Sequence, residues 1–176
     1  MAIPNYLDTL LVKRKDINDE VRPTSAEEAL VNRCIEEAQM LDIKPAIGDG
    51  VYMRLFNLDG DEAVSLLWNG GTYTDCDGSE KLFAGLRKAL LYYAYGRLLR
   101  TQIGISTRYG FQVKADQYSD SAELKAQVQA YNEAFGIGDG YKAQAMAFMA
   151  SRPDDFGSCC KRVIRNNRIA VKKIGN

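Results

Sequence analysis

The first clear pattern in the chain is a helical spacing of apolar residues in the segment 25–41. The apolar positions fall three or four residues apart, which places them on one face of an α-helix, with charged residues on the other face. These positions are Leu30, Val31, Cys34, Ile35, Ala38 and Leu41. Thr24 followed three residues later by Glu27 is the pattern of a capping box, so the helix is predicted to begin at Ser25.

Two shorter helical patterns follow, and a polar loop comes after them. Residues 51–58 and 62–69 have apolar side chains at helical spacing, and Asn69 with Gly70 has the composition of a helix C-cap. The loop 70–79 contains adjacent glycines that permit a tight turn, so this segment is compatible with a small hairpin.

The segment LLYYAYGRLLR, residues 90–100, is rich in both apolar and aromatic residues. Ser79 is a suitable N-cap and the arginines suit the negative end of a helix dipole, so a helix is predicted from Glu80 to about Gln102. Apolar residues cover nearly every side of this helix, which is typical of a helix buried among others. Its three tyrosines leave two interpretations open: rings packed inside the subunit, or rings presented to another subunit.

The last third of the chain contains an extended segment and a long helical pattern. Residues 105–118 alternate and are rich in β-branched and aromatic side chains, which predicts an extended segment or a short strand around Gly110. Residues 120–153 have helical spacing, but three glycines interrupt them, each disfavouring a helix by about 1 kcal/mol relative to alanine. This pattern predicts either one long kinked helix or two helices with a short break, ended by Pro153.

The C-terminal tail differs in composition from everything before it. It has no acidic residue, and its stretch 168–174 has the composition of a β-strand. Its basic residues are Lys161, Arg162, Arg165, Arg168, Lys172 and Lys173. Three interpretations of this tail stay open: a solvated tail, an arm that pairs with another protein surface, or a segment that contacts DNA phosphates.

These patterns predict a mainly α fold: a small bundle of about four helices with a short hairpin or extended loop and an extended basic C-terminal arm. The predicted organisation is an N-terminal arm (1–23), a helical domain (24–156) and the basic tail (157–176). A chain of 176 residues is long enough to bury one core. No stretch approaches the roughly 20 apolar residues of a membrane-spanning helix, so no membrane contact is expected.

Composition and charge restrict the chemistry further. The 23 basic and 23 acidic residues balance, so no overall field attracts the chain to nucleic acid or membrane. The absence of histidine removes imidazole as a general base or a metal ligand. The four cysteines have no CxxC spacing and are expected to be free thiols.

Three short motifs superficially match known sites, and each has a simpler interpretation. GIGDG at 136–140 lacks the spacing of a phosphate-binding loop, and YTDCDG at 73–78 lacks the terminal glutamate of a calcium loop. Asp59, Asp61 and Glu62 are interpreted as solvated loop acids rather than as a catalytic pair. We therefore predict no catalytic residue, no cofactor, no metal site and no enzymatic activity.

Two longer stretches resemble the head–tail connector proteins of tailed phages, which form neck rings or adaptors. AQMLDIKPAIGDGVY, residues 38–52, resembles the family segment AQ…D(L/I)KP.(L/I)G…Y. LLWNGGTYTDCDGSEKLFAGLRKALLYYAYGRLLR, residues 66–100, resembles the family segment GG.Y…GL(K/R)..L.YYAY.R. The resemblance extends over about residues 7–150 and is nearest to the proteins of crAss-like and other Bacteroidetes phages.

The resemblance implies a helical subunit, without cofactor, of a ring that is usually dodecameric. That ring docks beneath the portal protein, links it to tail or other neck proteins, and surrounds the DNA channel. The expected location is the virion neck, after synthesis in the cytoplasm of the bacterial host. The basic tail is longer than the family pattern, so its role stays open.

The interface candidates are the tyrosines of the central helix and the residues that follow them. These candidates are Tyr92, Tyr93, Tyr95, Arg97, Arg100, Arg108, Tyr109 and Phe111. The expected partners are further copies of the chain, the portal, and neck or tail proteins, with non-specific contact to DNA in the channel. The alternative hypothesis is a small helical DNA-binding or regulatory module that uses the basic tail.

Overall fold

The computed structural model of the chain describes residues 9–107, 110–113 and 121–157, and these residues are mainly helical. The helices are α1 (Arg14–Glu20), α2 (Glu28–Ala38), α3 (Lys44–Ile47), α4 (Asp49–Arg54), α5 (Glu62–Asn69), α6 (Leu86–Ile103), α7 (Ser121–Ser151) and α8 (Pro153–Phe156). The strands are β1 (Gly71–Thr74), β2 (Glu80–Phe83), β3 (Gly104–Thr107) and β4 (Gly110–Val113). Four of the described helices, α2, α5, α6 and α7, have eight or more residues, so the predicted small helical bundle is confirmed.

Helix α6 is the central helix of the bundle. It packs against α2 on one side and α7 on another, and it also contacts α1 and α5. Leu86, Leu90 and Ala94 are fully buried along one stripe, and Leu91 and Leu98 are buried beside them. The unusually apolar composition of this segment therefore reflects neighbours on several sides, as the sequence predicts.

Helix α2 begins later than the capping-box pattern predicts. It starts at Glu28, because the Thr24 hydroxyl accepts a hydrogen bond from the backbone N–H of Ala26 (3.2 Å) instead of capping the helix. At its other end, α2 continues directly into a π-helical turn, Gln39–Ile43. This wider turn changes the direction of the following side chains. Leu41, predicted on the apolar face, is consequently 62% exposed, and Ile43 is fully buried in the core.

The segment predicted as the first turn of the central helix is a β-strand. Strand β2 pairs antiparallel with β1, with Thr72 opposite Leu82, and α6 begins only at Leu86. In this hairpin Phe83 is buried, and its side chain is directed by the strand rather than by the predicted helix. Backbone approaches backbone where this hairpin joins the helices: a Cβ on Gly85 (φ +85°) would lie 2.4 Å from the carbonyl oxygen of Trp68. The hairpin compatible with the glycine loop is therefore present.

The later elements follow the sequence closely. Strands β3 and β4 pair antiparallel, so the extended segment around Gly110 is found as a hairpin. Helix α7 is continuous over 31 residues, which excludes the alternative of two separate helices. It ends before Pro153, which opens the short helix α8. In the described part of the chain, no helix is long and apolar enough to cross a membrane.

The described part of the predicted N-terminal arm packs on the helical domain. Val12 and Ile17 are buried in the same core as α6. The side chain of Gln39, in the π-helical turn, donates to the carbonyl of Thr9 (3.2 Å) and accepts from the N–H of Leu11 (2.7 Å). A fully bonded buried amide of this kind fixes the path of the incoming chain. The basic tail lies outside the described residues.

Candidate functional site

Tyr93, one of the interface candidates, is a core residue. It is 1% exposed, and its hydroxyl donates a hydrogen bond of 2.5 Å to the carboxylate of Asp139 on α7. Lys142 donates to the same oxygen at 2.8 Å and lies 5.0 Å from the centroid of the Tyr93 ring. Burial, and then the hydrogen bond to Asp139, raise the pKa of Tyr93 well above its ordinary value. The ring therefore joins α6 to α7 inside the subunit.

Asp139 owes its position to the glycines around it. A Cβ on Gly138 would lie 3.0 Å from the Tyr93 ring, so the small residue lets α7 approach α6 closely. Hydrogen bonds from Lys142 and then from Tyr93 lower the pKa of the Asp139 carboxyl. The GIGDG motif is thus part of a helix–helix contact, consistent with the interpretation that it is not a phosphate loop.

Tyr92 and Tyr95 are different, because both are half-buried and line one groove on the surface. Their spacing predicts that they lie near each other, and they do. We call this pocket of about 90 Å³ the tyrosine groove. It is lined by Val21, Arg22, Tyr92, Tyr95, Ala130, Glu133, Ala134 and Ile137. It is far smaller than a typical ligand cavity of about 300–1,000 Å³, and its size suits one inserted side chain.

The tyrosine groove combines apolar and charged lining residues. The phenol rings, Ala134 and Ile137 give it an apolar floor, while exposed Arg22 and Glu133 put opposite charges at its margin. Aromatic floors with polar margins are typical of the centres of protein–protein interfaces. Sequence reasoning missed Arg22 and Glu133, because their positions in an apparent arm and on a separate helix gave no signal of proximity.

Arg97 has its contacts inside the subunit. Its guanidinium donates to Asp42 at 3.1 and 2.7 Å and lies 3.5 Å from a carboxylate oxygen of Glu37. The side chain is 15% exposed and stacks over the ring of Phe135 at 5.8 Å. Arg97 therefore connects α6 to the π-helical turn after α2.

The remaining candidates divide between exposed and undescribed positions. Arg100 is exposed at the end of α6. Phe111 lies in β4, but its side chain is outside the described part, as are Arg108 and Tyr109. The basic residues of the predicted arm are also outside it. They are Lys161, Arg162, Arg165, Arg168, Lys172 and Lys173.

Of the three loop acids, Asp61 has a structural role, while Asp59 and Glu62 are exposed. The Asp61 side chain accepts a hydrogen bond from the N–H of Val64 at 3.1 Å, capping α5, and pairs with Arg54. The bond from Arg54 holds the pKa of Asp61 below its usual range. Among the described residues, no group of cysteine and acidic side chains could hold a metal ion.

Cys76 is a free, exposed cysteine at the tip of the β1–β2 hairpin. Its thiol donates to the carboxylate of Asp75 at 3.2 Å, and this bond raises the pKa of the thiol. A raised pKa lowers the fraction of thiolate at neutral pH.

The two stretches that carry the family resemblance contact each other in the fold. Asp42 of the first stretch binds Arg97 of the second. Within the first, Gln39 donates to the Tyr52 hydroxyl at 3.2 Å, and Lys44 lies 6.0 Å from the Tyr52 ring centroid. Much of the shared pattern is therefore explained by packing within one subunit.

Comparison with known proteins places the chain in a family. Residues 43–162 match the model of the family of unknown function DUF6712, and because this is more than half of the chain, the protein belongs to that family. Neither the curated proteins nor the solved structures contain a match to the chain.

Proposed function

We propose that this member of DUF6712 is a structural protein of the tailed-phage neck. In this proposal it is a subunit of a ring, dodecameric as in the connectors it resembles, that docks under the portal, links it to tail or neck proteins and surrounds the DNA channel. The motifs at 38–52 and 66–100 support the assignment to a connector. Its place would be the virion neck, after synthesis in the host cytoplasm, and it would have no catalytic activity and no cofactor.

The observation that carries the proposal is the tyrosine groove. Tyrosines are enriched at the centres of protein–protein interfaces, and here two half-buried tyrosines lie beside an apolar floor with charged margins. In a ring, each subunit presents one surface to one neighbour and a different surface to the other. We assign the groove to one side of the seam between neighbouring subunits.

The opposite side of the seam is supplied by the outer part of α7. Residues 125–129 contain no buried side chain, and Val128 is 42% exposed. An exposed aliphatic side chain on a projecting helix has the size and chemistry to enter a groove lined by tyrosines.

Substitution of the groove tyrosines tests the proposal. The portal ring encoded in the same genome is mixed with the wild-type protein, with Tyr92→Ser/Tyr95→Ser, or with Met53→Ser, and complexes are separated by sedimentation. Met53→Ser is the control, since it replaces an apolar side chain of α4 that is 42% exposed and lies in neither side of the proposed seam. Wild type and control should co-sediment with the portal, and the double variant should lose at least about tenfold in bound protein.

Two results of the sedimentation experiment would contradict the proposal. Equal binding by the double variant and the wild type would remove the groove from the seam. No binding of wild type to an intact portal would remove the portal as partner. In that case steep salt-dependent binding of the protein to duplex DNA would favour the DNA-binding alternative.

A further inference from the structure

The hairpin of β1 and β2 has an unpaired edge. In the described part of the chain, no third strand pairs with either of them. The N–H of Asp75 donates to the carbonyl of Ser79 at 2.9 Å, and hydrogen-bonded pairs alternate along an antiparallel ladder. The backbone groups of Glu80 and Leu82 therefore point away from β1. Such an edge is a template for another strand.

The surface around this edge is acidic with one large apolar side chain. Leu82 is 78% exposed on the face of the hairpin that points away from the core. Glu80 lies on the same face as Leu82, because side chains alternate along the strand. Asp75 and Asp77 lie in the adjoining turn, where Lys81 forms an ion pair with Asp75. The edge therefore fits an extended segment that is both basic and apolar.

The described chain ends beside this hairpin. The ring of Phe148 stacks on Phe83 of β2 at 4.8 Å and contacts Phe156 of α8 at 5.7 Å. Gly157 follows Phe156 directly. The start of the tail is therefore connected to β2 through the rings of Phe156, Phe148 and Phe83. Ten residues separate Gly157 from Arg168, and at about 3.3 Å per residue they span up to roughly 33 Å.

The charges of the chain are divided between the tail and the rest. The whole chain balances 23 basic against 23 acidic residues, and the tail after Gly157 holds six basic residues and no acidic one. Residues 1–157 therefore carry six more acidic than basic residues. Opposite charges on two parts of one molecule attract each other when the connecting segment is short.

We propose that residues 168–174 of the tail, RIAVKKI, dock as a third strand on the β2 edge of the same molecule. Arg168, Lys172 and Lys173 lie near the acids of the hairpin, and the aliphatic side chains cover Leu82. The backbone of the segment binds the outward N–H and C=O groups of β2. This interaction is a property of the free subunit, so it holds or fails independently of the ring.

Hydrogen exchange of the full-length protein tests the docking. The amides of Glu80 and Leu82 are followed in the wild type, in Val171→Pro and in Val163→Pro. Proline removes an N–H and cannot pair within a strand. Val163→Pro is the matched control, because it makes the same change in the tail before the docking segment. We expect exchange of these amides to be about tenfold faster in Val171→Pro and unchanged in the control.

A second variant separates charge from backbone pairing. Arg168→Gln/Lys172→Gln/Lys173→Gln keeps the strand composition and removes the basic charges. It should also speed exchange of the Glu80 amide, and added salt should speed exchange in the wild type but not in this variant.

Three outcomes would overturn the docking proposal. The first is equal exchange of Glu80 and Leu82 in the wild type and Val171→Pro. The second is a change confined to amides away from β2, which would place the tail elsewhere. The third is protection that grows with protein concentration, since that would make the tail of a second copy the occupant.

Discussion

At the scale of single residues, the basic and aromatic side chains of the central helix have different roles. Tyr93 and Arg97 join elements within the subunit, whereas Tyr92 and Tyr95 reach the surface. The sequence alone cannot distinguish these two roles, because helical spacing fixes only the angles between side chains around the helix. Which side faces solvent depends on where α2 and α7 pack, and that is set by the whole fold.

Replacing Arg97 with alanine should destabilise the protein. It would leave the Asp42 carboxylate, whose side chain is 17% exposed, without its main partner. We expect a loss of about 2–4 kcal/mol in the free energy of unfolding, measured by urea denaturation. Arg100→Ala, an exposed change near the end of α6, is the control and should stay within about 0.5 kcal/mol. Equal effects of the two changes would contradict the buried role of Arg97.

Alkaline pH should weaken the fold through Cys34. Burial, with a smaller effect of Glu37, raises the pKa of this thiol from 9.0 to about 11. The folded state thus keeps a proton that the unfolded state loses, so the stabilisation is present below pH 9 and disappears as pH rises through 11. It amounts to at most about 2–3 kcal/mol.

A pH series of urea denaturation on wild type and Cys34→Ala measures this linkage. The stability difference between the two proteins should be constant below pH 9 and shrink between pH 9 and 11. Tyr52, whose pKa burial also raises, is present in both proteins and serves as an internal control. A difference that stays constant up to pH 11 would contradict the assignment to Cys34.

At the scale of elements, the long periodic helices were predictable and their ends were not. Apolar residues cover most sides of the segment 86–98, which predicts a buried helix, and most of these residues are buried. The start at Glu80 was wrong because cross-strand pairing and burial of Phe83 outweigh local helix preference. The predicted burial of Leu41 was wrong because α2 continues into a π-helical turn, in which the buried Gln39 binds Thr9 and Leu11. Contacts between residues so distant in sequence leave no local pattern.

Replacing Gly96 or Gly140 with alanine should change the free energy of unfolding in opposite directions. A Cβ on Gly96 of α6 would lie 2.6 Å from the ring of Phe135. Gly96→Ala should therefore lower the free energy of unfolding by about 1–3 kcal/mol. Gly140 of α7 has nothing within 4 Å of such a Cβ. Gly140→Ala should raise stability by roughly 0.5–1 kcal/mol.

Urea denaturation of both glycine variants decides this prediction. The comparison is internal, since each change adds one methyl group inside a helix. Stabilisation by Gly96→Ala would mean that α6 and α7 do not approach as closely as the structure shows.

At the scale of the whole molecule, the fold class could be predicted from the sequence, but the groove and the acidic edge on its surface could not. Periodicity was sufficient for a mainly helical bundle with a small hairpin. The tyrosine groove was not predictable, because it joins Arg22, Tyr92, Tyr95 and Glu133 from three distant segments. The division of charge between the tail and residues 1–157 can be read from the sequence. The position of the β2 edge close to Phe156 and Gly157, where the tail begins, cannot.

The central claim is that the protein forms a ring under a portal. Electron microscopy of the purified protein mixed with the portal ring from the same genome tests it most directly. We predict a second ring that is stacked coaxially on the portal and matches its symmetry. An intact portal without added density, in the presence of folded full-length protein, would contradict the claim.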